Sequence, residues 1–230
     1  MAAAACVAGA PVLQSRAVVA HDSLSPLPEA IRSGTEGDGI KRFEPLLHIA
    51  HGCQPYPAVN EAGDTSGGLQ DTGSHAGGCR DETKGQTYVR AAWHNGRFCI
   101  MYAWYWPKDQ PNDGDVANGH RHDWEHVVVF IDDPAAATPT LIGASASSHS
   151  GYKKDSSPQR NGDASWSSTS PTHHQPRAAV QDQRGKEYPI IDWDMMTDAT
   201  RNALNQPVFG DANCPFNEGN FIPKVEEAWV

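Results

Sequence analysis

Phe98-Cys99-Ile100-Met101-Tyr102-Ala103-Trp104-Tyr105-Trp106 is a nine-residue run without a charge, rich in aromatic and branched side chains. A strand that alternates polar and apolar residues covers a core on one face. A run apolar on both parities reads as a central strand buried on both faces. Upstream, Tyr88 to Ala92 has the same β-forming composition, and Asn95-Gly96 stands between the two segments. That dipeptide readily takes the left-handed conformations of a tight hairpin turn, so the two segments are expected to pair. Downstream of a polar loop, Asp109 to Gly119, comes His122-Asp123-Trp124-Glu125-His126-Val127-Val128-Val129-Phe130-Ile131, stopped by Asp132-Asp133-Pro134. This is a second core strand.

Other segments give weaker signals. From Ile40 to Ile49 apolar residues are unevenly spaced around Pro45, which favours a strand or bent segment over a continuous helix. Ser145 to Pro176 is dominated by Ser, Gly, His, Pro and Asn, with Tyr152 and Trp166 its only large apolar residues. Long polar stretches of this kind are usually loops. A helix is expected from about Asp194 to Asn205, capped by Thr197 or Asp194, followed by a short terminal element from Phe221. Residues 1–20 read as a leader or disordered arm, with no compact folding expected up to about residue 25, and residues 21–230 as one domain. Many short strands with few helices give a mainly β (α+β) chain, a β-sandwich with helices outside.

The formal charge of -10, with only 18 Lys and Arg in 230 residues, argues against binding a phosphate backbone. No apolar run approaches the ~20 residues of a transmembrane helix. Action on a membrane would therefore start from a soluble state. Among five cysteines, Cys53 and Cys79 bracket a stretch of Gly, Pro, Asp, Asn and Ser that cannot hold itself by packing. A cross-link there would restrict the unfolded chain by an estimated ~3 kcal/mol, and we pair these two, as suits an exported protein. Cys99, in a core strand, reads as a buried thiol, with a second bridge to Cys214 as the alternative.

The chemistry concentrates in Gly119-His120-Arg121-His122-Asp123-Trp124-Glu125. Period-two geometry puts Asp123 and Glu125 on one face with Val127 and Val129, and His122, Trp124 and His126 on the other. Adjacent carboxylates repel unless a cation neutralises them. Gly119 is expected to free the backbone so that His120 curls back toward them, while Asp109 approaches from the neighbouring strand. Three carboxylates and one imidazole form a mainly oxygen site, suited to Ca2+ or Mg2+ rather than Zn2+. Isolated residues of these types are ordinarily solvated, and Trp124 is ordinarily packing.

That heptapeptide resembles the hallmark of the necrosis- and ethylene-inducing protein family, and Ile100 to Asp109 resembles the segment preceding it there. Similarity runs from about Ala17 to Trp229. It includes Gly52-Cys53-Gln54-Pro55-Tyr56-Pro57-Ala58-Val59, Ser66-Gly67-Gly68-Leu69, Gly151-Tyr152-Lys153-Lys154, and Phe209-Gly210 through Pro215-Phe216. The resemblance implies a β-sandwich with flanking helices, similar to sea-anemone pore-forming toxins. It also implies a secreted virulence toxin that damages plant plasma membranes, causing necrosis and ethylene responses. Binding to glycosyl inositol phosphoryl ceramide head groups would depend on a divalent metal held by Asp109, His120, Asp123 and Glu125. Arg121, His122 and Trp124 would support those ligands, and Cys53–Cys79 matches the type with one disulfide. Trp166 is a candidate for stacking on a sugar ring.

No catalytic residue is expected: the cluster lacks a His-Glu-x-x-His pair, and no Ser or Cys sits in a nucleophile turn. The alternatives are a metal-dependent carbohydrate-binding module without lysis, or a metallohydrolase using His122 or Glu125 as base.

Overall fold

The computed structural model describes residues 16–49, 52–114, 119–148, 151–158 and 185–230, with the backbone alone at 160–161, 165–166 and 177–178. Its strands are β1 (Val18–Val19), β2 (Leu47–His48), β3 (Thr65–Ser66), β4 (Thr87–His94), β5 (Arg97–Asp109), β6 (His120–Ile131), β7 (Leu141–Ser148), β8 (Gly151–Asp155), β9 (Arg160–Asn161), β10 (Ser165–Trp166), β11 (Arg177–Ala178) and β12 (Ile190–Asp192). Among the described residues three short α-helices, α1 (Thr35–Arg42), α2 (Asp198–Leu204) and α3 (Phe221–Glu227), flank them. The chain is mainly β, a β-sandwich with flanking helices.

The main sheet has the order β12-β4-β5-β6-β7-β8, and β1-β3, β9-β10 and β2-β11 form two-stranded ribbons. The hairpin expected from Asn95-Gly96 is present. His94 pairs with Arg97, and the two turn residues take φ of 46° and 78°, which Gly96 adopts without strain. β5 and β6 occupy the middle of the sheet, and from Phe98 to Trp106 every β5 side chain is buried. One face of this pair meets α1, where the Tyr102 hydroxyl donates to the Ile40 carbonyl at 2.6 Å. The other meets the C-terminal segment, where Trp229 lies edge-on to Phe130 and Ser145 donates to the Ala228 carbonyl.

Four expectations need correcting. The polar stretch from Ser145 is not all loop, since β7 (Leu141–Ser148) runs into it and β8 (Gly151–Asp155) lies within it, paired edge to edge in the main sheet. Ile40 to Arg42 ends a helix; only Leu47–His48, beyond Pro45, is strand. Its glycines hide the helix, since Gly37 and Gly39 supply two of its three buried residues. The arm is compact from Ala17 onward: Val18–Val19 pairs in parallel with Thr65–Ser66, and Leu24 is buried. The expected helix near residue 194 is two elements, a 3-10 turn at Trp193–Met195 capped by Asp192 and α2 capped by Thr197, whose hydroxyl accepts from Thr200 N–H. Cys53 and Cys79 are bonded, whereas Cys99 and Cys214 are separate buried thiols. Cys6 lies outside the described residues.

Candidate functional site

The acidic cluster lies where β5 and β6 run past the end of β4. Cross-strand neighbours are Trp104 with Glu125, Trp106 with Asp123 and Asp109 with His120. From Asp123 onward the expected alternation holds. Trp124 packs among Tyr88, Tyr105, Phe209 and Phe216, and His126 Nε2 meets the Tyr152 hydroxyl at 2.5 Å.

Before Asp123 the alternation breaks, and not where the sequence suggested. Gly119 is absent from the positive-φ positions; the break is at His122, with φ of 62°. Gly119 matters by close approach, since a Cβ there would lie 2.8 Å from the Asp109 carbonyl oxygen. His120 Nδ1 is 2.7 Å from the His122 carbonyl oxygen, and its Nε2 lies 3.9 Å from Asp109 Oδ2. His122 is buried, with Nδ1 2.6 Å from the Tyr105 hydroxyl. Exposed Arg121 donates to the Gly67 carbonyl and to Gln70.

The electrostatics follow from burial and from the closeness of the carboxylates. Burial pushes the Asp123 carboxyl up to about 7, Asp109 adds to the rise, and His120 opposes it. Burial also raises Glu125 well above the carboxylate range, with Asp123 adding to it and the Ser147 hydroxyl, which donates to Glu125, opposing it. His122 is lowered to about 4 by burial, then by Arg121 and His120. It therefore stays neutral near pH 7. Three carboxylates thus lie within one another's field, with His120 beside them. In donor type alone, three carboxylates and an imidazole are the kind of set that holds a hard divalent cation. As the side chains stand, no three His, Cys, Asp or Glu groups among the described residues converge as a finished ligand set.

Beside Glu125 a cavity of about 320 Å³ is lined by Trp124, His126, Ser147, Tyr152, Lys224 and Glu227. A larger one, about 760 Å³, opens at the disulfide between Asp22, Tyr56 and Lys84, and Asp109, Asp123 and Glu125 are not among its lining residues. Trp166 pairs through its backbone with Arg160, but its side chain lies outside the described residues. The sequence singles out no role for Tyr105, Ser147 or Lys224: Tyr105 reads as core strand, Ser147 as part of a polar loop, and Lys224 as part of a short terminal element. Gly68 lay within a recognised segment, also without a role.

Residues 37–228 match the family described as Necrosis inducing protein (NPP1). The chain belongs to that family. It is 44% identical over 220 residues to NLP effector protein 2 of Phytophthora capsici, covering 93% of this chain and 87% of the relative. Two solved structures are similar to it, each at 42% identity. One is NLPPya in complex with mannosamine, with a TM-score of 0.78 over 93% of this chain and all of that one. The other is the non-toxic HaNLP3 protein, with a TM-score of 0.80 over 91% of this chain and 98% of that one. Family membership assigns the chain to the necrosis-inducing toxins.

Proposed function

We propose that this family member is a secreted cytolytic toxin that acts at the plant plasma membrane without turning over a substrate. It would recognise glycosyl inositol phosphoryl ceramide head groups in a manner dependent on Ca2+ or Mg2+. The observation that carries this reading is the crowded acidic cluster, in which burial and mutual repulsion hold Asp123 and Glu125 above their ordinary ranges. Such an arrangement costs stability unless something positive binds there. Asp109, Asp123 and Glu125 would supply oxygen ligands and His120 a nitrogen. A bound divalent cation would neutralise the carboxylates and present open positions to sugar hydroxyls.

The chain's own residues do the rest. Ser147 orients Glu125 through its hydroxyl, and neutral His122 places no positive charge beside the ligands. Trp166 would offer an aromatic face to a sugar ring. A structural relative described in complex with mannosamine supports carbohydrate recognition as the mode of contact. The disulfide supports export, because such bonds persist in oxidising compartments.

Similarity to a structure described as non-toxic favours a second reading, a metal-dependent carbohydrate-binding module without lysis. Dye release from vesicles separates the two. Vesicles containing glycosyl inositol phosphoryl ceramide should leak with the protein and Ca2+ or Mg2+, should stay sealed with chelator, and should not leak when made of phosphatidylcholine alone. Head-group binding with no leakage would replace the toxin with the module.

A further inference from the structure

A regular β6 would place Arg121 on the side of Asp123 and Glu125, and His120 on the opposite side. Instead, neighbours Arg121 and His122 both lie against Gly68, where a Cβ would be 2.7 Å from Arg121 Cγ and from His122 Cε1. The inversion is taken up at His122, the only described non-glycine residue besides Asn95 of the hairpin turn with positive φ. Of the common side chains, His, Asn and Asp enter this left-handed region more readily than most, and β-branched ones hardly at all.

The surroundings hold this conformation from several directions. Tyr105 reaches both His122 Nδ1, at 2.6 Å, and Ser66 Oγ, at 3.1 Å. Arg121 is tied at 2.6 Å to the Gly67 carbonyl, and Leu69 N–H donates at 2.7 Å to the carbonyl of Pro107. Pairing of β5 with β6 resumes on either side, at Trp106 with Asp123 and at Lys108 with Arg121. The break falls opposite Pro107, which has no N–H to lose. The His122 carbonyl then meets His120 Nδ1, which leaves Nε2 on the Asp109 side.

We propose that His122 is a positioning residue acting through its backbone: its left-handed conformation, locked by Tyr105 and the 66–70 loop, places His120 beside Asp109 and Asp123. This rests on reading Asp109, His120, Asp123 and Glu125 as a ligand set. Its side chain is the lock, held at Nδ1 by the Tyr105 hydroxyl.

The test compares His122→Asn, which keeps access to the left-handed region, with His122→Val, which does not. The first measurement, with chelator present, is the nuclear Overhauser contact between His120 ring protons and Asp109 Cβ protons. The second is calorimetric affinity for Ca2+ and Mg2+, with far-UV circular dichroism reporting the fold. His122→Val should lose the proton contact and bind the ions about 10- to 100-fold more weakly, the range seen when groups that orient ligands are removed. His122→Asn should keep the contact and most of the affinity. A folded His122→Val protein that retains both overturns the proposal. So does a folded His122→Asn protein whose backbone chemical shifts keep residue 122 left-handed but which loses the contact, and that outcome decides the matter even where the valine variant does not fold. Should the unaltered protein bind neither ion while the contact responds as stated, the ligand reading fails and the backbone role of His122 stands.

Discussion

Glu44 offers a stability test that needs no ligand. Its side chain is buried, Oε1 has no hydrogen-bond partner among the described residues, and Oε2 faces Lys41 at 3.0 Å. Burial lifts the carboxyl from 4.5 to about 7; the Lys41 bond and charge oppose the rise, and Glu187 and Glu29 add to it. Since the folded protein holds the proton more tightly than the unfolded chain, this group is harmless below pH 4.5. Stability then falls as pH rises toward 7 and levels off above it. At about 1.4 kcal/mol per pH unit the loss reaches roughly 3 kcal/mol. For a chain of this size that is about 6 to 12 °C in melting temperature. Glu44→Gln removes the titration, so the variant should melt well above the unaltered protein at pH 7.5 and close to it at pH 4.5. Melting would be followed by circular dichroism across that range. Parallel curves for the two proteins would refute the assignment.

Three further outcomes are expected. Asp123→Ala should bind Ca2+ and Mg2+ poorly by calorimetry, keep its far-UV spectrum, and lose leakage of plant-sphingolipid vesicles; full leakage in chelator would remove the metal from the mechanism. Replacing Cys53 and Cys79 by Ser frees a loop closed across 26 positions and should cost about 3 kcal/mol in urea unfolding; an unchanged midpoint would mean that the loop is held by packing. Trp166→Ala should weaken head-group binding on a glycan array while leaving ion affinity intact, and undiminished binding would move the sugar contact elsewhere.

The centre of the fold was legible because its signals are local. Nine uncharged residues and an Asn-Gly turn fix β4 and β5, and five consecutive apolar residues after His126 fix β6. Elements defined by distant partners were not. Val18–Val19 becomes a strand only by meeting Thr65–Ser66, and α1 buries mostly glycine, which leaves no apolar stripe to read. At the site, residue types point to the cluster, but the sequence puts the break at Gly119, where glycine advertises freedom. The residue that takes it up is a histidine held by Tyr105 and Gly68, contacts that sequence spacing does not reveal.

The order of strands has a consequence for assembly. β4 through β8 follow one another in both chain and sheet, so each can zip onto its predecessor with little loop to close. β12 must return across about a hundred residues to pair with β4, and β1 across nearly fifty to pair with β3. We infer that the meander carrying Asp109, Asp123 and Glu125 forms first, with its carboxylates still hydrated, and that Glu125 is covered only when α3 docks beside it. Repulsion among those carboxylates would then brake the last stage of folding rather than its nucleation. Pulse-labelled hydrogen exchange should accordingly protect β5 and β6 amides ahead of those in β12; simultaneous protection would show that the sheet closes in one step.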